Sequence, residues 1–225
     1  MHKAKTAIMV TGGMDSTTLI YEARRQGLDV TLITVDYGHD AFAKQIEMLT
    51  WHMKQLKIPE DRLITIPIRF PEWQREPALF TKGYKPAEDT RPLEEWDQLR
   101  YKEFFVEGRN QIMVSYAMAY CSAHKIDELW TGYLYHESEW EKRRSYKLLT
   151  GDNSPQFVDM MNLLSQLGFS HQIRIRAPFY ENRLSKADVF KLSQKLGVDH
   201  DHTHTCYFVP ACGKCDNCLL RAELL

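Results

Sequence analysis

Residues 7–27, AIMVTGGMDSTTLIYEARRQG, decide the fold of this chain. Residues 7–10 form the continuous apolar run expected of a strand that is buried on both faces of a parallel sheet. Residues 11–16, Thr-Gly-Gly-Met-Asp-Ser, interrupt that run, and helical spacing of the next apolar residues predicts a helix from Thr17 to Gln26 that stops at Gly27. A turn between a buried strand and a helix is where open α/β sheets bind their ligands.

The same alternation of strand and helix signals continues outward from this stretch. Further strands are predicted at residues 30–35, 63–66, 128–130 and 173–177. Further helices are predicted at residues 41–56, at 111–125 with Asn110 as N-cap, at 155–168 after Ser154, and after Ser185. The order indicates an α/β fold, a doubly wound parallel sheet with right-handed crossovers.

Two stretches, residues 67–107 and 133–153, lack this periodicity. The first carries four prolines after Pro67 among scattered aromatic residues and is too long for an ordinary connection, so we expect a lid or active-site loop. The second is highly charged, which is typical of a solvated surface. The predicted organisation is an α/β domain over residues 1–200, with these two insertions, followed by a small segment over residues 201–225.

Composition narrows the class of protein. The 225 residues carry a net charge of −1, with 44% hydrophobic and 26% charged residues, as in a soluble globular protein. Without a basic excess, a dedicated nucleic-acid binder is not expected. No apolar run approaches the roughly 20 residues that span a bilayer, and the first residues lead into a strand rather than a cleavable signal. We therefore expect a cytoplasmic protein.

Four of the five cysteines lie within thirteen residues, at Cys206, Cys212, Cys215 and Cys218. Four thiolates at this spacing can surround Zn²⁺, and a complete sulfur set leaves no open position, so the pattern predicts a structural zinc site. A redox cluster is the alternative, and the nearby His202 and His204 are possible competing ligands. His202 is also either a residue that orients substrate or a hydrogen-bonded loop histidine.

The loop after the first strand has the chemistry of an anion site. Gly12 and Gly13 let the backbone come close to an anion, the hydroxyls of Thr11, Ser16 and Thr17 can donate to it, and the helix start supplies unpaired N–H groups. These features predict a phosphate site. Two glycines would also suit a simple strand-to-helix connection. The residues alone do not decide between a phosphate site and such a connection.

The loop resembles the SGGxDS pyrophosphate loop of the ATP pyrophosphatases, with Thr11 in place of the first serine. The order of four further motifs resembles the QueC family, the 7-cyano-7-deazaguanine synthases. They are Asp36-Tyr37-Gly38-His39, Gly108-Arg109-Asn110, Leu184-Ser185-Lys186-Ala187-Asp188 and the cysteine segment from Cys206 to Arg221. The family usually carries Gln where His39 stands. This resemblance covers nearly the whole chain.

The resemblance implies a fold and an activity. ATP would be cleaved between its α and β phosphates, with Mg²⁺ held by Asp15 and with Lys186 stabilising the separating pyrophosphate. Arg109 would meet ATP phosphate or the substrate carboxylate. The nucleotide-binding residues implied are Thr11, Gly12, Gly13, Asp15, Ser16, Thr17, Asp36, Tyr37, Gly108, Arg109, Asn110 and Lys186. A homodimer is also implied, with a deazapurine carboxylate and ammonia as substrates.

The acceptor half departs from the family. Members typically carry Asp-Tyr-Ser-Gly-Tyr-Pro-Asp-Cys-Arg, which holds the deazaguanine, where this chain has Tyr133-Leu-Tyr-His-Glu-Ser138. The nitrile-forming reaction of the family is therefore one hypothesis. A second is an enzyme that stops at the amide, or that couples a deazapurine or other carboxylate to a different amine, including a protein amine. A third is a non-catalytic zinc adaptor that keeps the nucleotide fold as a binding module.

Overall fold

A computed structural model of the chain describes residues 4–72, 80, 106–135 and 153–225. Five strands in these residues form one sheet: β1 Thr6–Met9, β2 Val30–Asp36, β3 Leu63–Pro67, β4 Glu128–Trp130 and β5 Arg174–Arg176. All pairings are parallel, in the order β3-β2-β1-β4-β5. The order reverses between β1 and β4, so the loop that follows β1 starts at the topological switch point of the sheet.

Helices cover both faces of this sheet. The helices are α1 Met14–Arg25, α2 Phe42–Gln55, α3 Arg109–Ala123, α4 Pro155–Gly168, α5 Pro178–Glu181, α6 Lys186–Leu196 and α7 Asp216–Leu224. Successive residues of a strand point to opposite faces, so Ile8 packs in the core with α1, α2 and α6, while Ala7 packs with α3 and α4. The predicted doubly wound α/β fold is confirmed.

Two predicted helix caps are confirmed by their hydrogen bonds. The hydroxyl of Ser154 accepts from the backbone N–H of Phe157 at the start of α4, which has Pro155 as its first residue. Ser185 and Asp188 form a reciprocal capping box at the start of α6. The second cap fixes the residue at which α6 begins, and that residue is Lys186.

Two predicted helix starts are wrong. Helix α1 begins at Met14 rather than Thr17, because Gly13 acts as its N-cap and Thr17 N–H already donates to the Gly13 carbonyl. Helix α3 begins at Arg109, because Gly108 has a left-handed φ of 67° that turns the chain into the helix. Asn110 therefore lies in the first turn of α3 and is not its N-cap.

The cysteine segment packs on the end of the sheet. Val35 and Tyr37, at the carboxyl end of β2, share a buried cluster with Phe70, Cys206 and Phe208. The segment therefore covers the sheet edge at which the β1 and β2 loops emerge. The division of the chain at residue 200 stays a prediction.

Much of both insertions lies outside the described residues. These are residues 73–79 and 81–105 of the first stretch and residues 136–152 of the second. The expected lid and the expected solvated charge run fall there. Among the helices of the described ranges, none is both long enough and apolar enough to cross a membrane.

Candidate functional site

Helix α1 begins within residues 11–16, here called the glycine loop, and has no side-chain cap. Gly13, the N-cap residue, is extended, with φ −81° and ψ 166°, and offers no side chain to the first N–H groups. The Ser16 hydroxyl accepts from Thr11 N–H at 3.2 Å and lies 3.3 Å from the Gly13 carbonyl, which closes the loop on itself. The positive end of a 12-residue helix is therefore available to an anion.

Close packing requires one glycine at this helix start, whereas a second, Gly132, has room for a Cβ. Gly12 has φ +68°, and a Cβ there would lie 2.5 Å from the backbone oxygen of Gln45 in α2. Gly132 follows β4, and a Cβ on it would lie 3.6 Å from the backbone N of Ser16. The sequence analysis missed Gly132. Its position directly after the strand that neighbours β1 was the signal that could have found it.

Asp15 and Lys186 face each other across the helix starts of α1 and α6. The Lys186 ammonium lies 2.6 Å from both carboxylate oxygens of Asp15. The side chains are 18% and 26% exposed, for Lys186 and Asp15 respectively, so the pair is accessible from the loop. A carboxylate oxygen is the ligand type that Mg²⁺ prefers, and an ammonium suits phosphate oxygens, so this pair fits both proposed ligands.

A second group of predicted residues lies at the end of β2, the strand next to β1. The Arg109 guanidinium carbon lies 5.7 Å from the ring centre of Tyr37 and 5.9 Å from that of Tyr207. Burial raises the pKa of Tyr37, while the Arg109 charge acts to lower it. Asp36 accepts a hydrogen bond of 2.9 Å from Gly38 N–H. Gly108 and Asn110 flank Arg109 at the start of α3.

His39 joins this second group and was not predicted as a site residue. Its ring stacks on Tyr37 at 4.0 Å and 13°, and its Nε2 donates to the Gln45 side-chain oxygen at 3.0 Å. Burial lowers the pKa of His39 to about 4, so its imidazole is neutral near pH 7. Gln45 thus contacts the glycine loop through its backbone and His39 through its side chain.

The four predicted metal ligands meet in one cluster. Their sulfur atoms all lie within 4.8 Å of one another, with shortest separations of 3.6 and 3.9 Å. Sulfurs around a tetrahedral zinc, at about 2.3 Å from the metal, would be about 3.8 Å apart. Neither His202 nor His204 belongs to the cluster among the described residues. The cysteines can therefore hold a metal ion such as zinc.

The surroundings of the sulfurs also favour a metal. Backbone N–H groups of Phe208 and Cys212 donate to the Cys206 sulfur at 3.4 and 3.3 Å, as expected around a thiolate. Hydrogen bonds with Cys206 lower the pKa of Cys212 but raise the pKa of Cys215 and Cys218. A thiolate at one sulfur thus disfavours deprotonation of the others, because like charges repel. A divalent cation at the centre would offset this repulsion.

Comparison with known proteins identifies the family. The model of the family described as "Queuosine biosynthesis protein QueC" matches residues 5–225. The chain is 26% identical to a protein named 7-cyano-7-deazaguanine synthase 2 from Colwellia psychrerythraea, covering 97% of this chain and 92% of that protein. It is 29% identical to a 7-cyano-7-deazaguanine synthase from Thermoplasma volcanium, covering 97% of this chain and 85% of that protein.

A solved structure, the NMN synthetase from Francisella tularensis, covers 92% of this chain and 69% of its own, with 14% identity and a TM-score of 0.45. That likeness is too low to support a conclusion. The family match, by contrast, extends over both the glycine loop and the cysteine cluster described above. The chain belongs to the QueC family.

Proposed function

We propose that this protein is an ATP-dependent ligase that converts 7-carboxy-7-deazaguanine to 7-cyano-7-deazaguanine. The observation that carries the proposal is the Asp15–Lys186 pair at the uncapped start of α1, next to the end of β1, where the sheet order reverses. The names of the relatives supply the product. The combination of a positive helix end, an ammonium and a carboxylate suits the triphosphate of ATP.

The reaction needs two activations. The substrate carboxylate attacks the α-phosphorus of ATP, and the bond to the bridging oxygen breaks, which releases pyrophosphate and leaves an acyl adenylate. Ammonia displaces AMP to give the amide. The amide oxygen then attacks the α-phosphorus of a second ATP, which releases a second pyrophosphate, and loss of AMP with two protons from nitrogen gives the nitrile. Both oxygens of the carboxylate leave on AMP, so no water is formed.

The residues of the glycine loop would act on the phosphates. The first-turn N–H groups of α1 and the hydroxyls of Thr11, Ser16 and Thr17 would bind the β and γ phosphates. Lys186 would exchange its contact with Asp15 for the oxygens of the leaving pyrophosphate as their charge grows. Asp15 would hold Mg²⁺, which supplies further neutralisation of that charge.

The second group would orient the rest of the nucleotide and the acceptor. Arg109 is held between Tyr37 and Tyr207, so its guanidinium is positioned before a ligand arrives. We propose that it meets the α-phosphate or the substrate carboxylate, with Asp36, Tyr37, Gly108 and Asn110 around the nucleotide. The structural metal proposed for the four cysteines is zinc, and it supplies no chemistry to the reaction.

A homodimer is proposed from the surface of α4. Four side chains of this helix are exposed although they are large and apolar: Met160 70%, Leu163 55%, Leu164 42% and Leu167 79%. Their spacing places them on one face, and Asp159 is the one charged residue of the helix. A second copy of the same apolar face is the partner that such a surface matches. A Leu167→Glu variant that stays dimeric in light scattering would contradict this assignment.

The product decides between this function and its alternative. Purified protein is incubated with 7-carboxy-7-deazaguanine, Mg²⁺, ATP and ammonium, and the deazapurines are identified by mass spectrometry. We expect the nitrile, with two AMP formed for each molecule. AMP formation that ends at the amide, or at a conjugate with another amine, would replace the proposal by the alternative that the divergent sequence at residues 133–138 favours.

The third hypothesis, a non-catalytic zinc adaptor, makes a different prediction. Such a protein would bind metal and release no pyrophosphate. The proposed ligase releases pyrophosphate, and this release disappears in Asp15→Ala. An enzyme-coupled pyrophosphate assay on the native protein and on this variant therefore separates the two.

A further inference from the structure

Residues 200–205, here called the approach segment, lead into Cys206. Of these, residues 203–205 contact the glycine loop. His204 N–H donates to the Gly12 carbonyl at 2.9 Å. The methyl group of Thr205 lies 3.1 Å from the place that a Cβ on Gly13 would occupy. On its other side the loop meets the Gln45 backbone. The loop is therefore held between α2 and the chain that approaches the cysteine cluster.

Arg221 ties this approach segment to the far end of the cysteine cluster. It lies in α7, three residues after Cys218. Its guanidinium donates to the Thr203 hydroxyl at 2.7 Å and also to the His200 carbonyl. The approach segment is thereby joined at one end to the first cysteine and, through the Arg221 side chain, to the helix that carries the last one. A formed cysteine centre thus fixes both attachments.

The other end of the approach segment is pinned to the α/β domain. His202 stacks on Trp51 of α2 at 3.8 Å and 9°. His52 Nε2 donates to the His202 carbonyl at 3.0 Å, and Tyr21 of α1 donates to His52 Nδ1 at 3.0 Å. A carbonyl can only accept, which fixes this tautomer of His52. The approach segment is thus anchored to α2 at one end and to the cysteine cluster at the other. A displacement of the cysteine cluster would therefore move the residues that contact the glycine loop.

We propose that Arg221 is a positioning residue through which the four-cysteine centre holds the glycine loop in its anion-binding conformation. When the bond from Arg221 to Thr203 is lost, residues 203–205 loosen and the Gly12 carbonyl loses its donor. The loop then visits other conformations, and any phosphate ligand must order it again. The loop-ordering part stands on geometry alone, and its consequence for ATP rests on the proposed function.

The test compares zinc-loaded full-length variants. Arg221→Ala removes both hydrogen bonds, Arg221→Lys keeps one donor, and Thr203→Val removes the acceptor. Glu223→Gln, on the exposed surface of the same helix, is the matched control. For each we measure zinc per chain, hydrogen–deuterium exchange of peptides covering residues 10–17, 203–206 and 30–36, and the Kd for ATP in the presence of Mg²⁺.

We expect Arg221→Ala to keep one zinc per chain and to exchange about tenfold faster at residues 203–206 and 11–13, with residues 30–36 unchanged. The Kd for ATP should rise about 5- to 20-fold, within the usual range of coupling between two sites. Arg221→Lys should be intermediate and Glu223→Gln native. Arg221→Lys also separates lost positioning from lost folding, since it retains the charge.

Unchanged exchange at residues 11–13 in Arg221→Ala would overturn the proposal. If that variant loses its zinc, the same comparison is made with Thr203→Val, whose exchange at residues 11–13 then decides. If the native protein binds no ATP while the exchange pattern is as expected, the proposed function fails and the positioning role stands. The two proposals are thus tested separately.

Discussion

The glycine loop and the four-cysteine cluster lie close together, but their polar groups are satisfied in opposite ways. The loop starts a helix without a side-chain cap and carries an ion pair that is partly exposed. In the cluster Cys206, Cys212 and Cys215 are nearly fully buried, and backbone N–H groups already donate to the sulfurs of Cys206 and Cys212. The loop thus has polar groups that suit a ligand that enters and leaves, whereas the cluster suits a ligand that is retained.

Loss of the cysteine centre should produce the largest effect. Metal binding supplies about 10 kcal/mol or more in small zinc-dependent folds, so Cys212→Ser should lose zinc and unfold the segment from residue 203 onward. Elemental analysis and thermal denaturation measure this. Cys121→Ala is the control, since Cys121 is buried in the sheet core and its loss should cost about 1 kcal/mol without loss of zinc. Full zinc content in Cys212→Ser would contradict the assignment.

Removal of the Lys186 ammonium should slow turnover strongly but leave the fold intact. Lys186→Ala removes the ammonium that contacts Asp15, and we expect kcat to fall about 10²- to 10³-fold, as when an electrostatic stabiliser is lost from an active site. Pyrophosphate release is the measurement. Lys191→Ala, an exposed position of the same helix, should stay within about twofold. Equal rates in both variants would exclude Lys186 from the site.

Acid should lower the free energy of unfolding through His52, which joins α1 and α2 to the approach segment. Burial lowers the pKa of His52 to about 4, against 6.5 for the ordinary group. Between these values the unfolded chain binds the extra proton, so the free energy of unfolding falls as pH drops from 6.5 towards 4, by about 1.4 kcal/mol per pH unit for this group. His39, with its pKa also lowered to about 4, adds a similar slope.

His52→Gln removes the ring that joins Tyr21 to the His202 carbonyl, so the variant should be less stable at pH 7. Because glutamine does not titrate, the variant should lose stability less steeply below pH 6.5. Urea unfolding at pH 7, 6 and 5 measures both slopes. Identical slopes in the native protein and the variant would show that His52 is not held neutral by burial.

The direct contact between loop and approach segment should give the smallest effect. Gly13→Ala places a Cβ 3.1 Å from the methyl carbon of Thr205, a few tenths of an ångström closer than an ordinary contact, and Thr205→Ser removes that methyl group. We expect Gly13→Ala to cost about 1 kcal/mol of unfolding free energy and to cost less when combined with Thr205→Ser, with a coupling of at least about 0.5 kcal/mol. Thr65→Ser, an exposed threonine of β3, should show no coupling to Gly13→Ala.

The sequence was most informative where local chemistry determines structure. Local strand signals predicted every strand of the described sheet, and Ser154 and Ser185 marked two helix starts because their hydroxyls cap locally. The spacing of the cysteines predicted their cluster for the same reason. Asn110 misled because an asparagine is a good N-cap in isolation, while Gly108 turns the chain two residues earlier.

The sequence was least informative about contacts between distant segments. The position of Gly132 after β4 places it at the ligand edge of the sheet, but its approach to Ser16 follows only from the pairing of β4 with β1. His204 was considered as a metal ligand, yet its backbone N–H binds the glycine loop about 190 residues earlier in the chain. The side-chain bond between Arg221 and Thr203 is of the same kind. Such contacts follow from the topology and not from a local pattern.

The proposed reaction depends most on which bond of the nucleotide is cut. Phosphorus NMR of a reaction containing ATP, Mg²⁺, ammonium and the deazapurine carboxylate distinguishes the possible products directly. If the glycine loop grips the β and γ phosphates while the carboxylate attacks the α-phosphorus, AMP and pyrophosphate accumulate in equal amounts, and both signals are lost in Lys186→Ala. Accumulation of ADP and inorganic phosphate would contradict the account.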